Sequence, residues 1–197
     1  MTTRKRMPRA ERERQMIEVA ESVFAERGYA AASMDEIAER VGVSKPMLYE
    51  YFHSKEGLLL ACIAQARAEL RKVTEESVAH ATSAEDALRR GLLAFFVYIR
   101  ERQQAWSLLR HEMVLIGTSA SDEIEATRRQ QTDLIAKLMA GFFDAGSPLR
   151  VEAAAEIVVG ACERLAIWCE QHAEVTPERA TDYAMALLWT GLSDRAL

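Results

Sequence analysis

Residues 33–55 read SMDEIAERVGVSKPMLYEYFHSK, and this stretch decides the fold. Ser33 with Glu36 three residues on is a capping box that opens a short helix. Met34, Ile37, Ala38 and Val41 fall on one face of it and predict a buried stripe. Gly42 can take the positive φ that a sharp turn requires. Val43 plugs the angle and Ser44 caps a second short helix. Pro46 is tolerated there because first-turn N–H groups lack intrahelical partners anyway. Leu48 and Phe52, four apart, point back to the core. Two short helices joined by a tight turn make a helix-turn-helix, which places its second helix in the major groove of DNA.

That geometry leaves Lys45, Met47, Glu50 and Tyr51 outward, with Tyr49 at the flank and His53 and Lys55 just beyond. Lys45 and Lys55 can neutralise phosphates. Tyr49 and Tyr51 each offer a hydroxyl for a phosphate and a ring for a thymine methyl. Tyr49 could also be a half-buried packing residue. Glu50 reads better as a solvated or paired carboxylate than as a partner for cytosine.

Working outward, Met16, Ile17, Ala20, Val23 and Phe24 repeat at helical spacing and predict a first helix stopping at Gly28. Before it, residues 1–9 read as a flexible basic arm. From Met1 to Arg14, six basic side chains (Arg4, Lys5, Arg6, Arg9, Arg12, Arg14) stand against Glu11 and Glu13, a local net of +4 in a chain of net charge −5. Such an arm can touch DNA, and it can equally be a solubilising end.

Downstream, Ser54 caps a helix from about residue 55 to 79, and Ser83 with Asp86 opens another to about 102. Further helices are predicted at about 103–116 and 122–144, separated by the loop 117–121. Ser147-Pro148 and Thr176-Pro177 start the last two, about 148–172 and 177–194. The expectation is an all-α chain of about nine helices. It divides into the arm, a three-helix DNA-binding domain at 10–56, and a larger helical effector-binding and dimerisation bundle at 57–197.

No apolar run approaches the roughly 18 residues of a membrane span, and no apolar segment of the secretory type follows the basic N-terminus. Cys62, Cys162 and Cys169 lack framework spacing and read as reduced thiols of a cytoplasmic protein. His53, His80, His111 and His172 are scattered, so neither a metal site nor a cofactor is implied. No nucleophile elbow, phosphate loop or zinc-protease motif appears, which argues against an enzyme.

Residues 12–60 resemble the DNA-binding domain of the TetR family of bacterial transcriptional regulators. The matching pieces are AESVFAERGYAAASMDEIAERVGVSK and LYEYFHSKEGLL. The resemblance implies a homodimer on a palindromic double-stranded operator, with an effector pocket in the larger domain. Carried over by position, Lys45, Pro46, Met47, Tyr49 and Tyr51 match base- or backbone-contacting places, and Ser33, Ser44, His53 and Lys55 match phosphate-contacting ones. Met47, where a small or polar residue is usual, and Glu50 are departures that leave the operator open.

In the bundle, Phe95, Tyr98, Trp106, Leu109, Met113, Phe142, Phe143 and Trp168 are candidates to line an apolar effector site, with Arg110 and Glu163 as polar anchors. A closed core is the plainer account of each taken singly. Ala154, Ala155, Val158, Cys162, Leu165, Tyr183, Ala184, Leu187 and Leu188 are small or apolar on the last two helices, which the resemblance makes a dimer interface. The resulting reading is a homodimeric regulator, a repressor released from its operator by a small, largely apolar effector. Two alternatives are a helical regulator controlled by a protein partner, and a ligand-binding protein or enzyme that borrows the fold.

Overall fold

The computed structural model describes residues 7–111, 121–140 and 147–193. The helices among them are α1 (Arg9–Ala31), α2 (Met34–Val41), α3 (Lys45–Phe52), α4 (Lys55–Val78), α5 (Ala84–Glu101), α6 (Gln103–His111), α7 (Ser121–Ala140), α8 (Pro148–Glu170) and α9 (Pro177–Ser193). No strand occurs among the described residues. The loop at 117–120 and the expected ends of the helices at 116 and 144 lie outside them.

The chain forms two compact units, which part inside α4 between Ala66 and Arg67. The first holds α1–α3, the N-terminal half of α4, and α6. Its apolar stripes are buried: Met16, Val23 and Phe24 of α1, Ile37 and Val41 of α2, Leu48 and Phe52 of α3, Leu58 and Ile63 of α4, Trp106 and Leu109 of α6. Each such side chain contributes about 1.5–3 kcal/mol on leaving water. The first half of α4 therefore belongs to the core of this first unit, and its Cys62 thiol donates to the Ile17 carbonyl at 3.7 Å.

Local chemistry sets the turns. Gly28 (φ 73°) breaks α1, and one further turn closes with Ala32 N–H donating to the Gly28 carbonyl. Ser33 Oγ accepts from Glu36 N at 3.1 Å. The Glu36 carboxylate goes to Arg40 at 2.7 Å and Arg27 at 3.4 Å, so one arm of the expected capping box forms. Gly42 ends α2 in the left-handed region at φ 77°. After α3, Ser54 Oγ accepts from Gly57 N at 2.8 Å. A Cβ on Gly57 would collide with the Phe52 carbonyl oxygen. The join between α3 and α4 thus needs glycine, and it holds His53 at φ 64°, a strain on the order of 1 kcal/mol.

The second unit holds the rest of α4 with α5, most of α7, α8 and α9. There α5 packs mainly on α9, and α8 touches both. The inward residues include Leu92, Phe96 and Ile99 of α5, Ala155, Val158, Cys162 and Ala166 of α8, and Ala180, Ala184 and Met185 of α9. Arg89 pairs with Asp182 at 2.7 Å, joining α5 to α9. Asp86 accepts from Arg90 and from Thr82 N–H and closes the start of α5.

Candidate nucleic-acid interface

The α3 helix sorts its side chains cleanly. Leu48 and Phe52 anchor it in the core. Lys45, Pro46, Tyr49 and Glu50 are exposed, and Met47 and Tyr51 half-buried. Ser33, Ser44 and His53 are exposed around it. Ser44 stands at the N-cap, but its side chain makes no cap bond. Pro46 brings no N–H to the second helical position, and the Met47 N–H is taken by the Ser44 carbonyl at 3.0 Å. The Ser44 hydroxyl is therefore left open to a phosphate.

Three contacts of this face were not legible in the sequence. Lys45 Nζ lies 2.9 Å from Asp35 Oδ2, and this hydrogen bond, more than the charge of Asp35, holds the ammonium pKa above its ordinary value. The guanidinium of Arg9 lies over the Tyr51 ring, 4.9 Å from its centroid. Lys55 donates to the Ala30 carbonyl at 3.2 Å, and its ammonium lies 4.7 Å from the centre of the Tyr29 ring. Burial, then the charge of Glu56, pushes the Tyr29 phenol up. All three pairs join distant positions of the chain, so no local pattern announces them. Arg4, Lys5 and Arg6 of the basic arm lie outside the described residues.

Of the candidate effector residues, Trp106, Leu109 and Arg110 belong to the first unit, and Phe95, Tyr98, Glu163 and Trp168 to the second. Trp106, Leu109 and Tyr98 are buried. Phe95 meets Phe96 edge-on at 5.2 Å. Glu163 pairs with Arg128 at 3.4 Å. Trp168 is exposed and stacks on His172 at 3.9 Å. Met113, Phe142 and Phe143 lie outside the described residues.

Of the candidate interface residues, Ala155, Val158, Cys162 and Ala184 face the interior of the protomer, and Ala154, Leu165 and Leu188 are half-buried. Tyr183 and Leu187 face outward. With them on the surface stand Leu149 and Ile157, two large apolar residues of α8 that were not among the expected interface positions. Among the described residues no helix is long and apolar enough to cross a membrane, and no cluster of His, Cys, Asp or Glu could hold a metal ion.

An all-helical chain whose helix-turn-helix presents a polar and aromatic helix face, joined to a separate helical unit, has the architecture of a one-component DNA-binding regulator. The chain belongs to the tetR family: residues 16–62 match the model described as bacterial regulatory proteins, tetR family, and residues 84–191 that of the tetracyclin repressor-like C-terminal domain. It is similar to the HTH-type transcriptional activator FasR of Mycolicibacterium smegmatis, 31% identical over 95% of this chain and 86% of that protein. A crystal structure of a TetR-like transcriptional regulator from Rhodococcus sp. RHA1 superposes with a TM-score of 0.76 at 30% identity, covering 96% of this chain and all of that one. FadR of Bacillus subtilis, solved in complex with stearoyl-CoA, shares the fold at a TM-score of 0.81 and 19% identity, covering 90% of this chain and 98% of that one. The protein is a DNA-binding transcriptional regulator of that family.

Proposed function

We propose that two copies of this chain pair through α8 and α9 and read a palindromic operator with their α3 helices, and that a small, largely apolar effector releases them, so that the protein represses. The observation that carries the reading is the division of α3 into a fully buried Leu48 and an outward row of Lys45, Tyr49 and Glu50. Base and phosphate contacts fall to Lys45, Pro46, Met47, Tyr49 and Tyr51, with Ser33, Ser44, His53 and Lys55 at the phosphates. One short helix reads few bases, and a pair about 34–36 Å apart reads successive major grooves. The outward apolar residues Leu149, Ile157, Tyr183 and Leu187 are what a symmetric copy would cover.

For the effector, the stearoyl-CoA held by FadR of Bacillus subtilis makes long-chain acyl thioesters the first class to try. Selection of bound fragments from random duplex DNA tests the reading. A recovered palindrome bound far more tightly than bulk DNA, and released by an acyl-CoA of some chain length, is the expected outcome. Weak, sequence-independent binding would overturn it. The similarity to FasR, named an activator, favours a second reading in which the bound dimer promotes transcription. A reporter carrying the operator decides the sign.

A further inference from the structure

We propose that Asp35 sets the specificity of this DNA reader by holding Lys45 in an intramolecular ion pair that operator DNA displaces and other DNA does not. The inference rests on the reading of α3 as the recognition helix. Lys45 is the sole cation of α3, whose sequence is KPMLYEYF. Its ammonium lies 2.9 Å from the Asp35 carboxylate, with both side chains largely solvent-facing, at 46% and 72% exposure. Asp35 stands in the first turn of α2, where a carboxylate also suits the helix dipole. The pair thus bridges the starts of the two helices that approach DNA.

The consequence is electrostatic. Non-specific binding draws nearly all its free energy from phosphate neutralisation and counterion release. A phosphate arriving at Lys45 meets Asp35 as well, so a cation already half-satisfied contributes little, and the repulsion opposes the encounter. At the operator, Lys45 can gain a base-edge acceptor in fixed geometry in addition to the phosphate, which offsets the lost pair. An exposed pair is weak enough to be exchanged in this way. Asp35 therefore depresses bulk DNA binding more than operator binding.

The test compares wild type, D35N, K45M and the double variant on the selected duplex and on a scrambled duplex, by fluorescence anisotropy across a potassium chloride series, with thermal melts alongside. D35N is expected to bind scrambled DNA about threefold more tightly near ~0.1 M salt, with a log–log slope steeper by about 0.9. Operator affinity should change less, so the specificity ratio falls. In the K45M background D35N should have a clearly smaller effect, because only the direct repulsion between Asp35 and the phosphates is then left to relieve. Unchanged scrambled-duplex affinity and slope, or the same D35N effect without Lys45, would overturn the inference. So would a lower melting temperature with equal loss on both duplexes, which would make Asp35 a structural residue. If wild type itself prefers no duplex, the recognition-helix reading has failed instead, which is a separate result.

Discussion

Lys55 ties the start of α4 back to the end of α1: its ammonium lies 4.7 Å from the centroid of the Tyr29 ring and donates to the neighbouring Ala30 carbonyl at 3.2 Å. The tether sits one residue beyond the Ser54 cap and two before Gly57, which abuts the Phe52 carbonyl of α3. Lys55→Met removes a cation–π contact of roughly 0.5–1 kcal/mol. Urea melts should show a loss of at least that size, and Tyr29→Leu should cost less in the K55M background than in the wild type, the remainder being its packing on Phe24. If Lys55 also touches a phosphate, K55M should flatten the salt slope of operator binding by about 0.9. If it acts as a tether alone, affinity should drop and the slope stay unchanged.

Tyr49 and Leu48 are adjacent and opposite in role. Tyr49 is 40% exposed and Leu48 fully buried. Tyr49→Ala should leave the melting curve within about 0.5 kcal/mol of wild type and abolish operator binding. Leu48→Ala should cost about 2–5 kcal/mol of stability. A Y49A protein that binds normally would remove α3 from the role of reader.

Ile157 and Leu187 are 65% and 79% exposed, whereas Ala155, two residues before Ile157, is fully buried. Ile157→Glu or Leu187→Glu should give a folded monomer by light scattering, with operator affinity reduced at least tenfold. Ala155→Glu should instead unfold the second unit, because it places an unpaired charge in the protomer core. A dimer that survives both outward substitutions would place the interface elsewhere.

The thiols should differ in reactivity. Burial pushes the Cys162 thiol up to about 12 and the Cys62 thiol higher still, while Cys169 is partly open and is raised less. Since the thiolate is the nucleophile, alkylation of native protein at about pH 8 should modify Cys169 first. Mass spectrometry should find Cys62 and Cys162 protected until denaturant is added. Early modification of Cys162 would mean that α8 opens.

Acid should act on the helix start at Thr82–Asp86. The Arg90 hydrogen bond, then the Thr82 N–H, holds the Asp86 carboxyl below its ordinary value. Its folded pKa is depressed, so its contribution is present above the unfolded value of 3.8 and disappears as pH falls through the folded one. Helicity followed by circular dichroism should show Asp86→Asn less acid-sensitive than wild type below about pH 4.

Most of the helical plan was legible because its signals are local. Ser33, Ser54 and Ser83 accept from the N–H three residues on, as their spacing predicts. Gly28 and Gly42 adopt the positive φ that ends a helix. Which residues of α8 and α9 face inward was harder to read. Both faces of these helices carry small or apolar side chains, so Ala155 and Ile157 look alike in sequence, and packing against α5 and α9 alone separates them.

The sequence by itself determined the helices, the turn at Gly42, the buried stripe of α3 and the family, because caps, glycines and 3.6-residue periodicity act within a few residues of one another. The tertiary structure alone decided what the charged groups around α3 touch. Asp35 on Lys45, Arg9 over Tyr51 and Lys55 over Tyr29 join segments that are neighbours only in the folded chain. Exposed charges at such distances obey no periodicity; their partners are set by where the buried faces leave them.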